Sequence, residues 1–236
     1  MIMSGTSPKK TGTEVIMTTT VNRTKKITRL AIFAALILVG LLLDTLITFG
    51  TPVKIAAVTL CVLIPLCIIS SLPEAIYCGT VFGILSLLRA FIMPNIIEGL
   101  TLVTADNFLR TFANPLVSVV PRIMIGVVVN LSSKALRKTF SKSNKEFVRN
   151  NLSTIISGVL GVITNTGLVF LALLGMNAIT SSDFEFIKFI AGFFTLFMAI
   201  EIVVVVTVVP FVVAGINRAK GAGATEMEIE SGKIKE

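Results

Sequence analysis

The sequence of 236 residues contains no histidine and no tryptophan, and it has a single tyrosine. Without an imidazole, the chain cannot form a Ser-His-Asp triad or a histidine metal site. The three cysteines, Cys61, Cys67 and Cys78, lie in apolar stretches, and their spacing matches neither a CxxC pair nor a zinc site. The apolar runs contain no paired Asp/Glu motif. We therefore predict a protein that is not an enzyme, with no catalytic residue, no metal ion and no cofactor.

Charged residues are also scarce, at 14% of the chain, compared with about 25% in a typical soluble domain. Hydrophobic residues make up 54%. A soluble domain of this size could not bury that much apolar side chain. The composition therefore excludes a water-soluble enzyme, a disordered chain and a fibrous protein, and it predicts an all-α polytopic membrane protein.

Six apolar runs predict six transmembrane helices, since about 20 apolar residues are enough for one span. The runs cover residues 27–47, 55–72, 74–93, 114–136, 151–175 and 184–216. Residues 23–218 are therefore predicted to form one transmembrane substrate-binding domain. Residues 1–22 are predicted to be a disordered cytoplasmic tail, and residues 219–236 a second cytoplasmic tail.

The net charge is +8, and the distribution of the positive residues predicts the membrane topology. Most of the 21 Lys and Arg residues lie in three blocks, at 9–29, 134–149 and 218–235. The positive-inside rule places these blocks, and with them both termini, in the cytoplasm. This clustering argues against nucleic acid as a partner. The predicted partner around the helices is membrane lipid.

Charged side chains inside membrane helices are costly, so each one is a candidate functional residue. Asn114, Ser118 and Arg122 recur every four residues in the fourth run, which places them on one helical face. Arginine binds carboxylates or phosphates through paired hydrogen bonds, so this face suits a small polar or anionic solute. The alternative to ligand binding is that Arg122 pairs with a neighbouring carboxylate and has a structural role. The predicted substrate-binding residues are Arg89, Asn107, Arg110, Asn114, Ser118, Arg122, Thr164 and Asn165.

Other polar features lie near the predicted outer side. The segment 94–113 mixes apolar and charged residues, as binding loops and lids often do. Glu201, in the sixth run, is predicted to be a buried counter-ion, and Asp44 to be solvated or paired with Lys54. In the fifth run, Gly158 shares a helical face with other small residues, which indicates either helix packing or room for a ligand.

The first run contains Ala31 and Ala35, with Ala34 beside them. Small residues four positions apart let another helix approach closely in a membrane. The helix that approaches could belong to a partner subunit or to this same chain.

These features together resemble the S component of an energy-coupling factor (ECF) vitamin transporter. The resemblance covers about residues 24–218, and its most specific part is NPLVSVVPRIMIGVV at 114–128. It implies a bundle of six helices that captures a vitamin at the outer side of a bacterial plasma membrane. It also implies docking through Ala31, Ala34 and Ala35 onto a transmembrane scaffold subunit with two ATPase subunits. The chain has no GxxxxGK[ST] motif, as expected if partners hydrolyse ATP.

Pantothenate is the vitamin that these residues favour, because arginines, amides and hydroxyls suit a small carboxylate. Tyr77 is the only tyrosine, which argues against a large flat ring that stacks on aromatic side chains. Riboflavin, folate and cobalamin stay as alternatives within the family. A stand-alone secondary carrier or channel is the alternative from another class, with Glu201 as the membrane carboxylate that a proton-coupled carrier needs.

Overall fold

The computed structural model describes the backbone over residues 12–49, 56–92, 108–140, 151–180 and 184–230. Its side chains are described over 23–49, 56–92, 118–140, 151–172 and 195–219. Throughout these ranges the regular structure is helical, with no strand. The predicted all-α class is therefore confirmed for the described part of the chain.

The described residues form six helices. They are α1 (Gly12–Ile47), α2 (Ala57–Ile69), α3 (Leu72–Ile92), α4 (Phe108–Thr139), α5 (Ser153–Thr180) and α6 (Phe184–Glu230). Helices α1 and α6 continue into the segments that the sequence assigns to the two tails. The cytoplasmic position of those tails stays a prediction.

Among the described residues, five segments are long and apolar enough to cross a membrane. They are Arg23–Ile47, Leu72–Ile92, Ser118–Thr139, Ser153–Ala172 and Thr195–Ala219. Large apolar side chains point outward from them, including Leu46 on α1 and Phe211 on α6, which are 71% and 77% exposed. Such an apolar exterior suits lipid better than water. The chain is therefore a multi-pass membrane protein.

Helix α2 differs from the other five because it is short and enclosed. Its 13 residues extend about 20 Å, less than the roughly 30 Å hydrocarbon core of a bilayer. It is also shorter than the run 55–72 predicted for the second span. Leu60, Leu63 and Ile64 are fully buried, and α1, α3, α4, α5 and α6 all contact α2. Helix α2 is thus the centre of the hydrophobic core.

The two ends of α2 mark the two ends of the bundle. Asp44 and Glu201 contact the amino end of α2, and we call this the Asp44 end. At the opposite Arg29 end, Arg29 of α1 forms an ion pair with Glu74 of α3. Glu74 also accepts a hydrogen bond from the backbone N–H of Ser71 at 3.0 Å, a capping-box contact that starts α3 directly after the two-residue turn.

Helices α3 and α4 cross at very short distance because glycines line the crossing. A Cβ atom at Gly79 would overlap the backbone oxygen of Arg122, and one at Gly126 would overlap the backbone oxygen of Ala75. One turn further along, a Cβ at Gly83 would lie 2.9 Å from the Cα of Val119. Small residues four apart allow such close approach of membrane helices.

The described part of the small-residue face of α5 packs against neighbouring helices. A Cβ at Gly158 would lie 2.9 Å from Val205 of α6, and one at Gly161 would lie 2.7 Å from Val129 of α4. Both glycines also face Ile64 of α2. Of the two possibilities raised by the sequence, helix packing accounts for both positions.

Candidate functional site

Asp44 of α1 holds the amino end of α2. Its Oδ1 accepts a hydrogen bond from the Val58 N–H at 2.9 Å, and its Oδ2 accepts one from the Thr59 N–H at 2.8 Å. The Thr59 hydroxyl also donates to Oδ2. The side chain is only 2% exposed, so the expectation of a solvated Asp44 is wrong. Its proposed partner Lys54 lies outside the described residues.

Glu201 of α6 reaches the same end of α2 from the other side. Its Oε1 accepts a hydrogen bond from the Ala56 N–H at 3.2 Å, and its Oε2 accepts one from the Thr166 hydroxyl of α5 at 3.2 Å. Glu201 is 5% exposed, as expected of a buried counter-ion. A helix amino end carries partial positive charge, so both carboxylates stabilise this half-buried helix end.

Two arginines lie at the same end of the bundle as these carboxylates. The charge of Arg89 on α3 has a minor electrostatic effect on Asp44, and the charges of Arg122 on α4 and of Asp44 have minor effects on Glu201. The Arg122 guanidinium carbon lies 5.8 Å from the centre of the buried Phe82 ring, within cation–π range. We call Asp44, Arg89, Arg122 and Glu201 the charge cluster. Its members belong to α1, α3, α4 and α6 and lie at the Asp44 end.

The structure thus places Arg89 and Arg122 of the predicted site at one end of the bundle. Ser118 and Asn165 are buried, whereas Arg89 and Arg122 are half-buried. Gly161 of α5 and Val129 of α4 pack against each other. Asn165 lies one turn closer to the Asp44 end than Gly161, and Arg122 lies about two turns closer to it than Val129. The Asn165 Oδ1 atom has no hydrogen-bond partner among the described residues, so it is an acceptor with spare capacity.

Two threonines of α5 have different surroundings. The Thr164 hydroxyl donates to the Leu160 carbonyl of its own helix at 2.7 Å. Thr166, which the sequence did not single out, contacts Glu201. Two residues apart on a helix is about 200° of rotation, so the two side chains point to different sides of α5. The binding role of Thr164 stays a prediction.

The remaining predicted residues lie beyond the described side chains. Asn107 is outside the described backbone, whereas Arg110 and Asn114 are on α4 with their side chains not described. Helix α4 begins at Phe108, so the last residues of the predicted loop 94–113 are helical. This correction has a simple cause, because Phe108 to Ala113 contain no Gly or Pro to stop a helix.

Asn130 of α4 holds the opposite end of α2. Its Nδ2 donates to the carbonyl oxygens of Cys67 at 2.8 Å and Ser70 at 2.9 Å, and the residue is fully buried. Asn130 is not among the residues predicted from the sequence, although an amide inside an apolar run is a recognisable signal. Both ends of α2 are therefore satisfied by side chains from neighbouring helices, as a helix end buried in a membrane protein requires.

The alanines of α1 lie on the outside. Ala31 and Ala35 are exposed and Ala34 is half-buried, whereas Phe33 and Ile37 face the core. Within the described part of the chain, no packing therefore covers the Ala31 and Ala35 positions. The surface that they form is open to lipid or to another helix.

Thiol and metal chemistry have no support in the described ranges. Cys61, Cys67 and Cys78 are buried and form no disulfide. Within the described residues, no group of three or more His, Cys, Asp or Glu side chains is placed to hold a metal ion. The cysteines act there as small apolar side chains of the core.

Comparisons of the chain with protein-family models, with curated proteins and with solved structures return no match.

Proposed function

We propose that this protein is the substrate-capture subunit of an ECF-type vitamin importer, with six membrane-embedded helices and both termini in the cytoplasm. The observation that carries the proposal is the charge cluster beside the polar face of α4. Arg122 belongs both to the NPLVSVVPRIMIGVV run and to this cluster. A binding site for a small polar solute needs a few polar groups gathered in one region of an otherwise apolar protein.

Topology supports an outward-facing site. Arg29 and Lys134, which belong to the basic blocks at 9–29 and 134–149, lie towards the Arg29 end of the bundle, which the positive-inside rule assigns to the cytoplasm. The charge cluster is then on the extracellular side, where an importer meets its substrate. Arg122, Ser118 and Asn165 offer a charged donor, a hydroxyl and an amide, which match a carboxylate that carries an amide and hydroxyls. Pantothenate is therefore the proposed substrate.

The exposed alanines support the second half of the proposal. Ala31 and Ala35 give α1 a smooth surface with no packing partner in the described part of the chain. In lipid, close backbone approach replaces the hydrophobic driving force for helix association. This surface is the proposed contact with the scaffold subunit, which in turn binds two ATPase subunits.

A stand-alone secondary carrier is less well supported. A proton-coupled carrier needs a membrane carboxylate that is free to move with its ion. Glu201 instead connects α2 to α5 through two hydrogen bonds. These contacts suit a fixed element of a binding site better than a moving proton carrier.

Co-purification tests the proposal directly. The tagged full-length chain, expressed in its native host and extracted in mild detergent, should bring down a second membrane subunit and two ATPases. Mass spectrometry of small molecules retained by the isolated chain should detect a vitamin. Uptake by the chain alone in proteoliposomes, without ATPase subunits, would instead identify a secondary carrier.

A further inference from the structure

The ring of helices around α2 is open on one side. Helices α1 and α3, α3 and α4, α4 and α5, and α5 and α6 pack against each other in turn, and each of them also contacts α2. In the described part of the chain, α1 and α6 make no comparable contact with each other. One side of α2 therefore faces outward between α1 and α6.

Three apolar side chains of α2 mark this open side. Val58, Val62 and Ile69 are half-buried, whereas residues 63–68 are buried. Their spacing of four and seven residues places the three on one face of the helix. Ile64 faces the glycines of α5, and Val62, two residues earlier, is rotated from it by about 160°. We call Val58, Val62 and Ile69 the α2 stripe.

The α2 stripe has the length of one lipid leaflet. From Val58 to Ile69 the helix rises ~16 Å, about half of the roughly 30 Å hydrocarbon core of a bilayer. The stripe ends at the Arg29 end, where a two-residue turn leads from α2 to α3. Close approach of another membrane helix needs small residues, and valine and isoleucine do not provide them. A flexible acyl chain therefore fits the stripe better than a helix.

Two exposed cations lie just beyond the end of the stripe, one on each side of the opening. Gly40 of α1 packs against Thr59 of α2, and the two helices run in opposite directions, so Lys26 lies about one turn past the last residue of α2. Glu201 of α6 contacts the amino end of α2, and α6 runs in the same direction as α2. Arg218 therefore lies at about the same depth as Lys26. Both side chains are exposed.

Positive charge is in excess at this position. Among the described side chains of the Arg29 end, Glu74 is the only acidic one, and it is paired with Arg29. The nearest acidic residues further along the two helices are Glu14 of α1 and Glu226 of α6, which lie more than two turns beyond Lys26 and Arg218. An apolar stripe that ends between cations matches the chemistry of an anionic phospholipid.

We infer that one anionic phospholipid, from the leaflet at the Arg29 end, binds between α1 and α6. Its acyl chain lies along the α2 stripe, and its phosphate lies between Lys26 and Arg218. The lipid site is independent of the proposed substrate, because neither its floor nor its cations belong to the charge cluster.

Fluorescence quenching in bilayers measures this binding. The natural chain has no tryptophan, so a single introduced one reports on its own surroundings. Leu38 of α1 is exposed and lies nine residues after Arg29, which is half a rotation around the helix. Because Arg29 faces α3, a tryptophan at position 38 faces away from α3, towards the opening. Ile163→Trp is the matched control, since Ile163 is exposed on α5 at a similar depth.

The full chain is reconstituted in phosphatidylcholine with small amounts of brominated phosphatidylglycerol or brominated phosphatidylcholine. In Leu38→Trp, the anionic lipid should give half-maximal quenching at a roughly five- to twentyfold lower mole fraction, since each cation near a headgroup contributes about fivefold. In Ile163→Trp the two brominated lipids should quench alike. An equal preference at both positions would show only a general attraction of anionic lipid to the protein, and would overturn the inference.

Charge variants in the Leu38→Trp background test the headgroup contact. Lys26→Gln/Arg218→Gln should remove the difference between the two lipids. Lys134→Gln/Lys138→Gln removes two exposed charges of the same end on α4 and should keep it. Equal loss in both double variants contradicts the assigned phosphate position. Absence of quenching by either lipid, with a dimer in native mass spectrometry, would mean that a second copy of the chain covers the stripe instead.

Discussion

Gly79 of α3 packs directly against the backbone of Arg122 on α4, so closely that a Cβ atom at position 79 would overlap the Arg122 carbonyl oxygen. An arginine of the charge cluster is thus placed by a glycine on a different helix. The contact involves rigid backbone on both sides, and neither helix can yield locally by rotating a side chain. The position of Arg122 depends on the spacing between α3 and α4.

Replacement of Gly79 by alanine should therefore destabilise the protein. We expect Gly79→Ala to cost about 1–3 kcal/mol, the range for overpacking of a close contact. Thermal unfolding of the detergent-purified protein measures the change. Gly167→Ala is the matched control, because a Cβ at Gly167 meets no atom within 4 Å, and it should leave the melting temperature unchanged or higher. Equal melting temperatures of both variants would contradict the packing argument.

The carboxyl end of α2 depends on Asn130. Asn130→Leu should cost about 1–3 kcal/mol for each buried carbonyl left without a donor, here those of Cys67 and Ser70. Thermal unfolding again reports the loss. Ser132→Leu serves as control, since its hydroxyl bonds only to the Val129 carbonyl of its own helix. A stable Asn130→Leu protein would mean that other groups satisfy this end of α2.

Asp44 should act on stability as a cap supplied by another helix. Asp44→Ala removes three hydrogen bonds to α2 and should destabilise the protein by about 0.5–2 kcal/mol. Asp44→Asn keeps one side-chain oxygen as an acceptor and should lose less. Comparison of the two unfolding midpoints tests this order. The reverse order would show that the carboxylate is not the cap.

Arg122 should contribute to substrate affinity. Arg122→Ala is expected to weaken pantothenate binding roughly ten- to a hundredfold, the effect of losing a charge-assisted hydrogen bond. Equilibrium binding to the purified variant gives the value. Lys134→Ala, an exposed position on the same helix, should bind normally. Loss of folded protein with unchanged affinity in the remainder would indicate a structural ion pair instead.

Docking through α1 should depend on the size of its outward residues. Ala31→Trp or Ala35→Trp should abolish ATP-dependent uptake and leave substrate binding by the isolated chain intact, because a large side chain prevents close helix approach. Leu36→Trp is the control, since Leu36 is also exposed but lies on a different side of α1. Uptake of the three variants is compared in cells that express the partner subunits. Unchanged uptake in both alanine variants would place the docking surface elsewhere.

Residue order alone was enough to predict an all-helical membrane protein, because hydrophobic length and charge distribution act along the chain. Apolar runs of about 20 residues can satisfy their backbone only as helices in lipid. Arg89 and Arg122 also stand out as candidates without any structure, since charges inside such runs are rare. The proposed importer function rests in addition on the resemblance of residues 114–128 to the S component of an ECF transporter.

Only the tertiary structure decided which groups meet. Asp44 and Thr59 are close in sequence, but Glu201 reaches Ala56 from 145 positions away, and no periodicity predicts such a contact. Hydropathy also could not separate α2 from a full span, because a helix buried among helices is as apolar as one that faces lipid. Its short length and its ends, held by Asp44, Glu201 and Asn130, depend on side chains that other helices supply.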